Sequence, residues 1–320
     1  MKVGPGGTTL WKTVLDTPAT GNERPQHPVR LSLAPGGSVL VAGWDDTYIP
    51  TNYVAANQDG FLAAFTTGPG PGHAFTQTSM QYTFPSSMTG PFSLATGVAA
   101  EQDGSGASYV TTLVASSRSP DNGISVTKLD AHQSVVWDQV ISPDSFDAVN
   151  AVGLSPGGEL FVTGGTLHTL GAQAFGQEDA YVMKIDKATG APLWTAQAGG
   201  DDSDYPTALG FDAAGNLYIA GITLGSVSAS VPNQGSTDLF AMKLSPAGEL
   251  LGVWQRGTSD DDELTSLAVD SCGRVFVGGY TRGALVAGQP SLGGEDMFVL
   301  DVRFPGTTML PEAAARKVTD

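Results

Sequence analysis

The chain has one cysteine, Cys272, so it has neither an internal disulfide framework nor a thiolate metal cluster. Charge is scarce at 15%, and basic charge scarcer still: 15 Lys+Arg stand against 32 Asp+Glu, a formal net charge of −17. Phosphate would be repelled by such a surface, which disfavours nucleic acid and anionic membrane surfaces, and no nucleic-acid partner is expected. Long surface helices draw on Lys, Arg and Glu, and these are too few to supply them. No apolar run approaches the ~20 residues of a membrane span, so no membrane insertion is expected. The start, Met1-Lys-Val-Gly-Pro-Gly-Gly7, lacks the apolar core of a signal peptide. The sequence therefore reads either as cytosolic or as already mature. Also missing are a Gly-x-Ser-x-Gly elbow, a His-Glu-x-x-His helix and a Walker loop. The four histidines are scattered among different loops, and no Ser/His/Asp set assembles from them.

What is present is glycine, proline and repetition. Forty-two Gly and 20 Pro imply many turns, and an apolar fraction of 41% implies a large buried core. Four stretches fall into register: Arg30-Leu-Ser-Leu-Ala-Pro-Gly-Gly-Ser-Val-Leu-Val-Ala-Gly43, Ala151 to Gly164, Ala208-Leu-Gly-Phe-Asp-Ala-Ala-Gly-Asn-Leu-Tyr-Ile-Ala-Gly221, and Ser266 to Gly279. Each reads as a strand, a glycine turn and a second strand, which is a β-hairpin. A third strand opens on Asp59, Asp179, Asp238 or Asp296, and tryptophan marks a fourth. A degraded copy runs from Gly97 to Trp137. The tryptophan spacings, 57 from Trp137 to Trp194 and 60 on to Trp254, set a period near sixty residues. Four strands per period without an amphipathic helix is the pattern of a β-propeller blade. The expected fold is all-β, a propeller of five four-stranded blades in one domain over residues 1–310, with 311–320 as a tail. Gly4 to Val14, carrying Trp11, matches the strand missing from the last copy, so the N-terminal strand is expected to close that blade and remove its open edge.

Gly199-Gly-Asp-Asp202, Asp212-x-x-Gly-Asn-Leu-Tyr-Ile-Ala-Gly221 and Asp238-Leu-Phe-Ala-Met-Lys-Leu244 resemble the SBBP-type β-propeller repeats of bacterial surface and secreted proteins. The resemblance is good over residues 148–303, fair over 28–66 and poor over 90–140. It implies a propeller located outside the cytoplasm (extracellular, cell-surface or periplasmic) and no single activity. Asp186-Lys-Ala-Thr-Gly190 with Trp194 also resembles a pyrroloquinoline-quinone-type docking motif, but it occurs once and reads as a turn plus a packing tryptophan.

The two loop classes of a blade differ in this chain. Turns joining strands one to two and three to four are short, as in Pro156-Gly-Gly and Pro246-Ala-Gly. The other connections are long or acidic: Trp44 through Gln58, Thr166 through Glu178, and Thr223 through Thr237. Binding residues favour long loops held by a rigid scaffold, so this face is the expected working surface. Thr66 to Ser79 reads as a long connection on the opposite face. Trp44, Asp45, Asp46, Tyr48, Tyr53 and Tyr205 are the candidate ligand-binding residues, since aromatic faces beside carboxylates suit sugar rings and loop packing equally. Asp147, Asp204 and Asp262 lie four residues before aligned strand starts and form a candidate acidic ring. Brought together, they would need a hard cation such as Ca²⁺ as cofactor. Kept apart, each caps its own turn by accepting backbone N–H groups, the favoured reading. Asp59, Asp179, Asp238 and Asp296 read as structural by their fixed place in the repeat. Two functions compete. One is a non-enzymatic propeller binding a glycan, peptide or protein partner on its acidic face. The other is a polysaccharide-acting hydrolase or lyase with carboxylates at the channel mouth. Binding leads, because repeat-equivalent acids suit repeated contacts better than one asymmetric acid–base pair.

Overall fold

The computed structural model describes residues 2–3, 9–11, 26–47, 57–67, 75–82, 92–115, 123–142, 147–227, 231–270, 273–286 and 288–304. Among the described residues the regular structure is β throughout except for one 3-10 turn, Pro35–Gly37. A short ribbon, β1 (Lys2–Val3) and β2 (Thr9–Trp11), precedes five antiparallel blades. The first blade is β3 (Gln26–Leu33), β4 (Val39–Thr47), β5 (Asn57–Thr67) and β6 (Phe75–Tyr82). The second is β7 (Phe92–Ala100), β8 (Ser108–Ala115), β9 (Gly123–Leu129) and β10 (Val135–Ser142). The third comprises β11 (Ala151–Leu154), β12 (Leu160–Thr166), β13 (Asp179–Ile185) and β14 (Pro192–Ala198). The fourth comprises β15 (Asp204–Phe211), β16 (Leu217–Thr223), β17 (Asp238–Leu244) and β18 (Leu250–Arg256). The fifth has three strands, β19 (Asp262–Val269), β20 (Val275–Thr281) and β21 (Asp296–Val302).

The fold is thus all-β, with five propeller blades of three or four strands. Thr9–Trp11, expected to complete the fifth blade, pairs with Lys2–Val3. Of the segment Thr66 to Ser79, expected as a long connection, Thr66 and Thr67 end β5 and Phe75 to Ser79 open β6, while 68–74 lie outside the described residues. The chain divides into two compact units, 1–145 with 187–191, and 146–186 with 192–320. Cys272 and the tail 311–320 lie outside the described residues.

In the third and fourth blades the middle strands are sealed on both faces. Every residue of β12 is buried, and β13 and β17 bury all but one. Such strands read as continuous apolar runs rather than alternating ones, hence Leu-Tyr-Ile-Ala and Leu-Phe-Val. The fourth strands β14 and β18 start exposed, as outer edges should.

The Ala-Gly ending of the second strand has a steric cause. The first strand carries one extra residue, with register shifts between Pro206 and Ala208 and between Leu264 and Ser266. Such a bulge bends its strand toward the partner. A Cβ on Gly221 would overlap the Tyr205 carbonyl oxygen, and one on Gly279 that of Glu263. The bulged Thr207 then reaches the next blade, donating to the Leu264 carbonyl at 3.1 Å. Asn150 does the same one blade earlier, at 2.8 Å from the Pro206 carbonyl oxygen.

Tryptophan also has a fixed task. Trp194 packs on Phe161 (5.8 Å between centroids) under the turn glycine Gly248, where φ is +88° and a Cβ would strike the indole. In the first unit Trp137 packs on Tyr109 at 6.0 Å beneath Gly190. Trp254 is not their equivalent. Trp137 and Trp194 pair with Lys128 and Lys184, whereas the residue facing the matching Lys243 is Gly252. The vacated space is taken by Phe304, whose ring lies 3.2 Å from where a Gly252 Cβ would stand and 5.7 Å from Tyr218. Phe304, 7% exposed, follows β21 and so ties the end of the fifth blade to the fourth.

Phe304→Ala should cost about 3–5 kcal/mol in urea unfolding, the range for a buried phenylalanine. Adding Gly252→Trp to that variant should recover part of the loss by refilling the slot. An unchanged midpoint in the single variant, or a further drop in the double, contradicts this packing.

Candidate functional site

On the long-loop face the repeat-equivalent aspartates are spent on backbone. Asp204 opens β15 fully buried, and its Oδ2 accepts the Gly200 N–H at 2.6 Å. Asp262 opens β19 likewise, accepting the Thr258 N–H at 2.6 Å. Asp147 is buried with Oδ1 3.4 Å from His168 Nδ1. The three do not converge: among the described residues no three His, Cys, Asp or Glu side chains could hold a metal ion. Asp204 and Asp262 each turn an oxygen to a backbone N–H of the loop before their strand, while Asp147 faces the His168 ring. The third-strand aspartates behave the same way. Asp179 accepts N–H groups from Phe175 and Gly176, Asp238 from Gln234, and Asp296 from Leu292.

Burial has electrostatic consequences. Desolvation pushes the Asp204 carboxyl up to about 6, opposed by the Thr223 hydroxyl and the Gly200 N–H, while nearby Asp179 and Asp201 add to the rise. Asp262 is raised by the same burial, with Asp238 adding to it. Glu178 is raised by burial and then by Asp147.

The aromatic–acid group expected on the face is only partly described. Trp44 is half-buried in β4, paired with Gly60 and His27. Asp45 and Asp46 continue β4 opposite Asp59 and Gln58, but their side chains lie outside the described residues. Tyr48 and Tyr53 lie outside them altogether. Tyr205, half-buried in β15, pairs with Ile222 and belongs to the other unit.

The structure places an open polar recess of about 500 Å³ on the fourth blade's long loop. Asp201, Asp202, Ser226, Asn233 and Gln234 line it, together with Leu224 and two glycines. The rims are stitched: Asp201 Oδ1 accepts the Ser226 N–H at 2.7 Å, and Asn233 donates to the Leu224 carbonyl. The third-blade loop adjoins it, with Gln177 donating to Asp202 Oδ1 at 2.9 Å. On that loop Phe175 is 45% exposed. Thr166–Glu178 and Thr223–Thr237, both singled out by length, thus meet the 200–202 connection. Phe175, Ser226, Asn233 and Gln234 had no signal of their own, since single polar residues and one aromatic in a loop carry no spacing.

The comparisons with known proteins agree with the repeat. Residues 193–226 match SBBP, a beta-propeller repeat. The matched SBBP stretch runs from β14 through the β15–β16 hairpin to Ser226 on the recess rim. No curated protein is similar enough in sequence to match. Among solved structures, the chain is similar to the endo-arabinase from Bacteroides thetaiotaomicron VPI-5482, with 11% identity, 90% of this chain and 97% of that one covered, and a TM-score of 0.45. It is also similar to native Bacillus subtilis arabinanase Arb43A, with 13% identity, coverages of 88% and 96%, and a TM-score of 0.40. At these identities the likeness concerns fold alone. No helix among the described residues is long and apolar enough to cross a membrane.

Asp204 yields a pH test. An unfolded aspartate loses its proton near ~4, whereas folded Asp204 holds it to about 6. The folded state binds more protons across that window, so stability from this group is full below ~4 and falls as pH rises through 6. The loss amounts to roughly 3 kcal/mol by pH 7, because each tenfold difference in proton affinity between the two states is worth about 1.4 kcal/mol. Asp204→Asn, which keeps the acceptor for Gly200, should therefore gain stability over the parent at pH 8 but not at pH 4. An equal difference at both pH values contradicts the assignment.

Proposed function

We propose that this chain is an SBBP-type propeller acting outside the cytoplasm, whose long-loop face binds a neutral, hydroxyl-rich ligand, a glycan. The observation that carries the reading is the open recess lined by Asp201, Asp202, Ser226, Asn233 and Gln234. Carboxylates and side-chain amides offer the paired acceptors and donors that sugar hydroxyls need. Phe175, exposed on the adjoining loop, offers a face for ring C–H groups. A net charge of −17 disfavours an anionic polymer. The outward-facing recess also suits contact with a long chain better than enclosure of a small molecule.

A second reading, a polysaccharide-acting hydrolase or lyase, is favoured by one feature. A carboxyl held protonated to about pH 6 is what a general acid requires, and Asp204 has it, near Asp201 on the recess rim. Asp204 is 0% exposed, so this chemistry also requires the 200–202 connection to move aside.

Titration with neutral oligosaccharides drawn from a glycan array tests both. Gln234→Ala and Phe175→Ala should each weaken binding roughly tenfold, the worth of one hydrogen bond or stacking contact, with the fold intact. Glu159→Ala and Glu249→Ala, on the short turns, should leave affinity unchanged. Release of new sugar ends by the parent and its loss in Asp204→Asn would establish the enzyme. The absence of any glycan ligand would sink both readings.

A further inference from the structure

Facing the Asp201–Asp202 wall, the recess has two rims made from separate parts of one loop, Leu224–Ser226 and Asn233–Gly235. One buried pair holds both. Gln255 of β18 is 5% exposed; its Oε1 accepts the Val227 N–H at 2.9 Å, and its Nε2 donates to the Gly225 carbonyl at 3.0 Å. The same Nε2 donates to Asp238 Oδ2 at 2.9 Å, and that oxygen accepts the Gln234 N–H at 3.0 Å. Asp238 is wholly buried, and neither residue lines the recess.

The third blade repeats the device on an unrelated loop. Gln197 accepts the Leu170 and Gly171 N–H groups at 2.8 and 2.9 Å and donates to the His168 carbonyl and to Asp179 Oδ2. Asp179 accepts from Phe175 and Gly176 on the far side of that loop. Gln197 pairs with Tyr181 as Gln255 pairs with Phe240, so the two pairs occupy equivalent register positions. All loop partners are backbone groups, and Leu-His-Thr-Leu-Gly and Leu-Gly-Ser-Val have little in common. The second blade lacks both members together: its third strand opens on Gly123, and Val140 pairs with Ser125.

We propose that Asp238 and Gln255 are the positioning residues of the recess, setting the geometry that a ligand meets without touching it. Asp179 and Gln197 position the Phe175 loop in the same way. A buried amide that bonds only to backbone and to one carboxylate fixes the loop's path and leaves its side chains free to vary. The claim about ligand affinity rests on the recess reading above; the claim about loop order does not.

Hydrogen exchange on the full chain tests the second claim. Gln255→Leu keeps the volume and removes the bonds, so the Val227 and Gln234 amides should exchange at least tenfold faster. The Leu170 and Gly171 amides on the third blade, an internal control, should keep their rates. Gln255→Glu should loosen the same rims at pH 8, where two carboxylates face each other. It should regain protection, corrected for intrinsic exchange, at pH 5, where a shared proton restores a donor to Asp238. A merely structural residue would give no such return. Unchanged Val227 and Gln234 rates, an equal rise at Leu170 and Gly171, or no recovery in Gln255→Glu would each overturn the proposal. The affinity claim uses whichever neutral oligosaccharide the array identifies. Loss of binding in both Gln255→Leu and Gln234→Ala supports it. Loss in Gln234→Ala alone overturns the positioning role, and loss in neither overturns the recess as the ligand site.

Discussion

The long-loop face depends on carboxylates that have left water for backbone N–H groups. Moving an ionised carboxylate out of water is expensive unless donors replace its hydration. Here the donors come from the loop just before each strand: Gly200 for Asp204, Thr258 for Asp262, Gln234 for Asp238. Charge-assisted bonds of this kind are short and about twice as strong as neutral ones. Each one pins a loop to the strand that follows it, and the recess exists because the loops are pinned. The raised Asp204 carboxyl shows that the donors offset only part of the cost of burial.

That balance separates the two functional readings. An acid sealed behind its own loop, as Asp204, Asp238 and Asp262 are, offers no oxygen to a substrate unless that loop moves. Asp201 and Asp202 differ because they stand one turn out, on the recess wall. Each anchors one oxygen to a neighbouring loop and sits where a hydroxyl can reach it.

The blades were legible because period-2 strands, glycine turns and a sixty-residue repeat come from backbone geometry, which every copy must obey. The Ala-Gly ending could be seen in the sequence; its cause, the bulge of the preceding strand, needed the register. Tryptophan spacing misleads at Trp254, since the slot that the spacing assigns to it is filled by Phe304, some fifty residues downstream. Pairings between residues that distant leave no local pattern. The site was legible as a face but not as residues. Loop length pointed to 166–178 and 223–237, whereas repetition marked Asp147, Asp204 and Asp262, which are buried behind those loops rather than on the recess wall. Gln197 and Gln255 were missed because a glutamine in an outer strand resembles any other solvated polar residue.

The bonds from Asn150 to the Pro206 carbonyl and from Thr207 to the Leu264 carbonyl run one way, donor in the earlier blade and acceptor in the later. Two successive junctions in the second unit are thus built head to tail from one repeat position, a side-chain donor facing a backbone acceptor. In the fifth blade the equivalent Thr265 bonds its own sheet, at the Gly278 carbonyl. The run from the third blade to the fifth therefore has a direction, and each of its junctions reuses one repeat position in place of a separate interface.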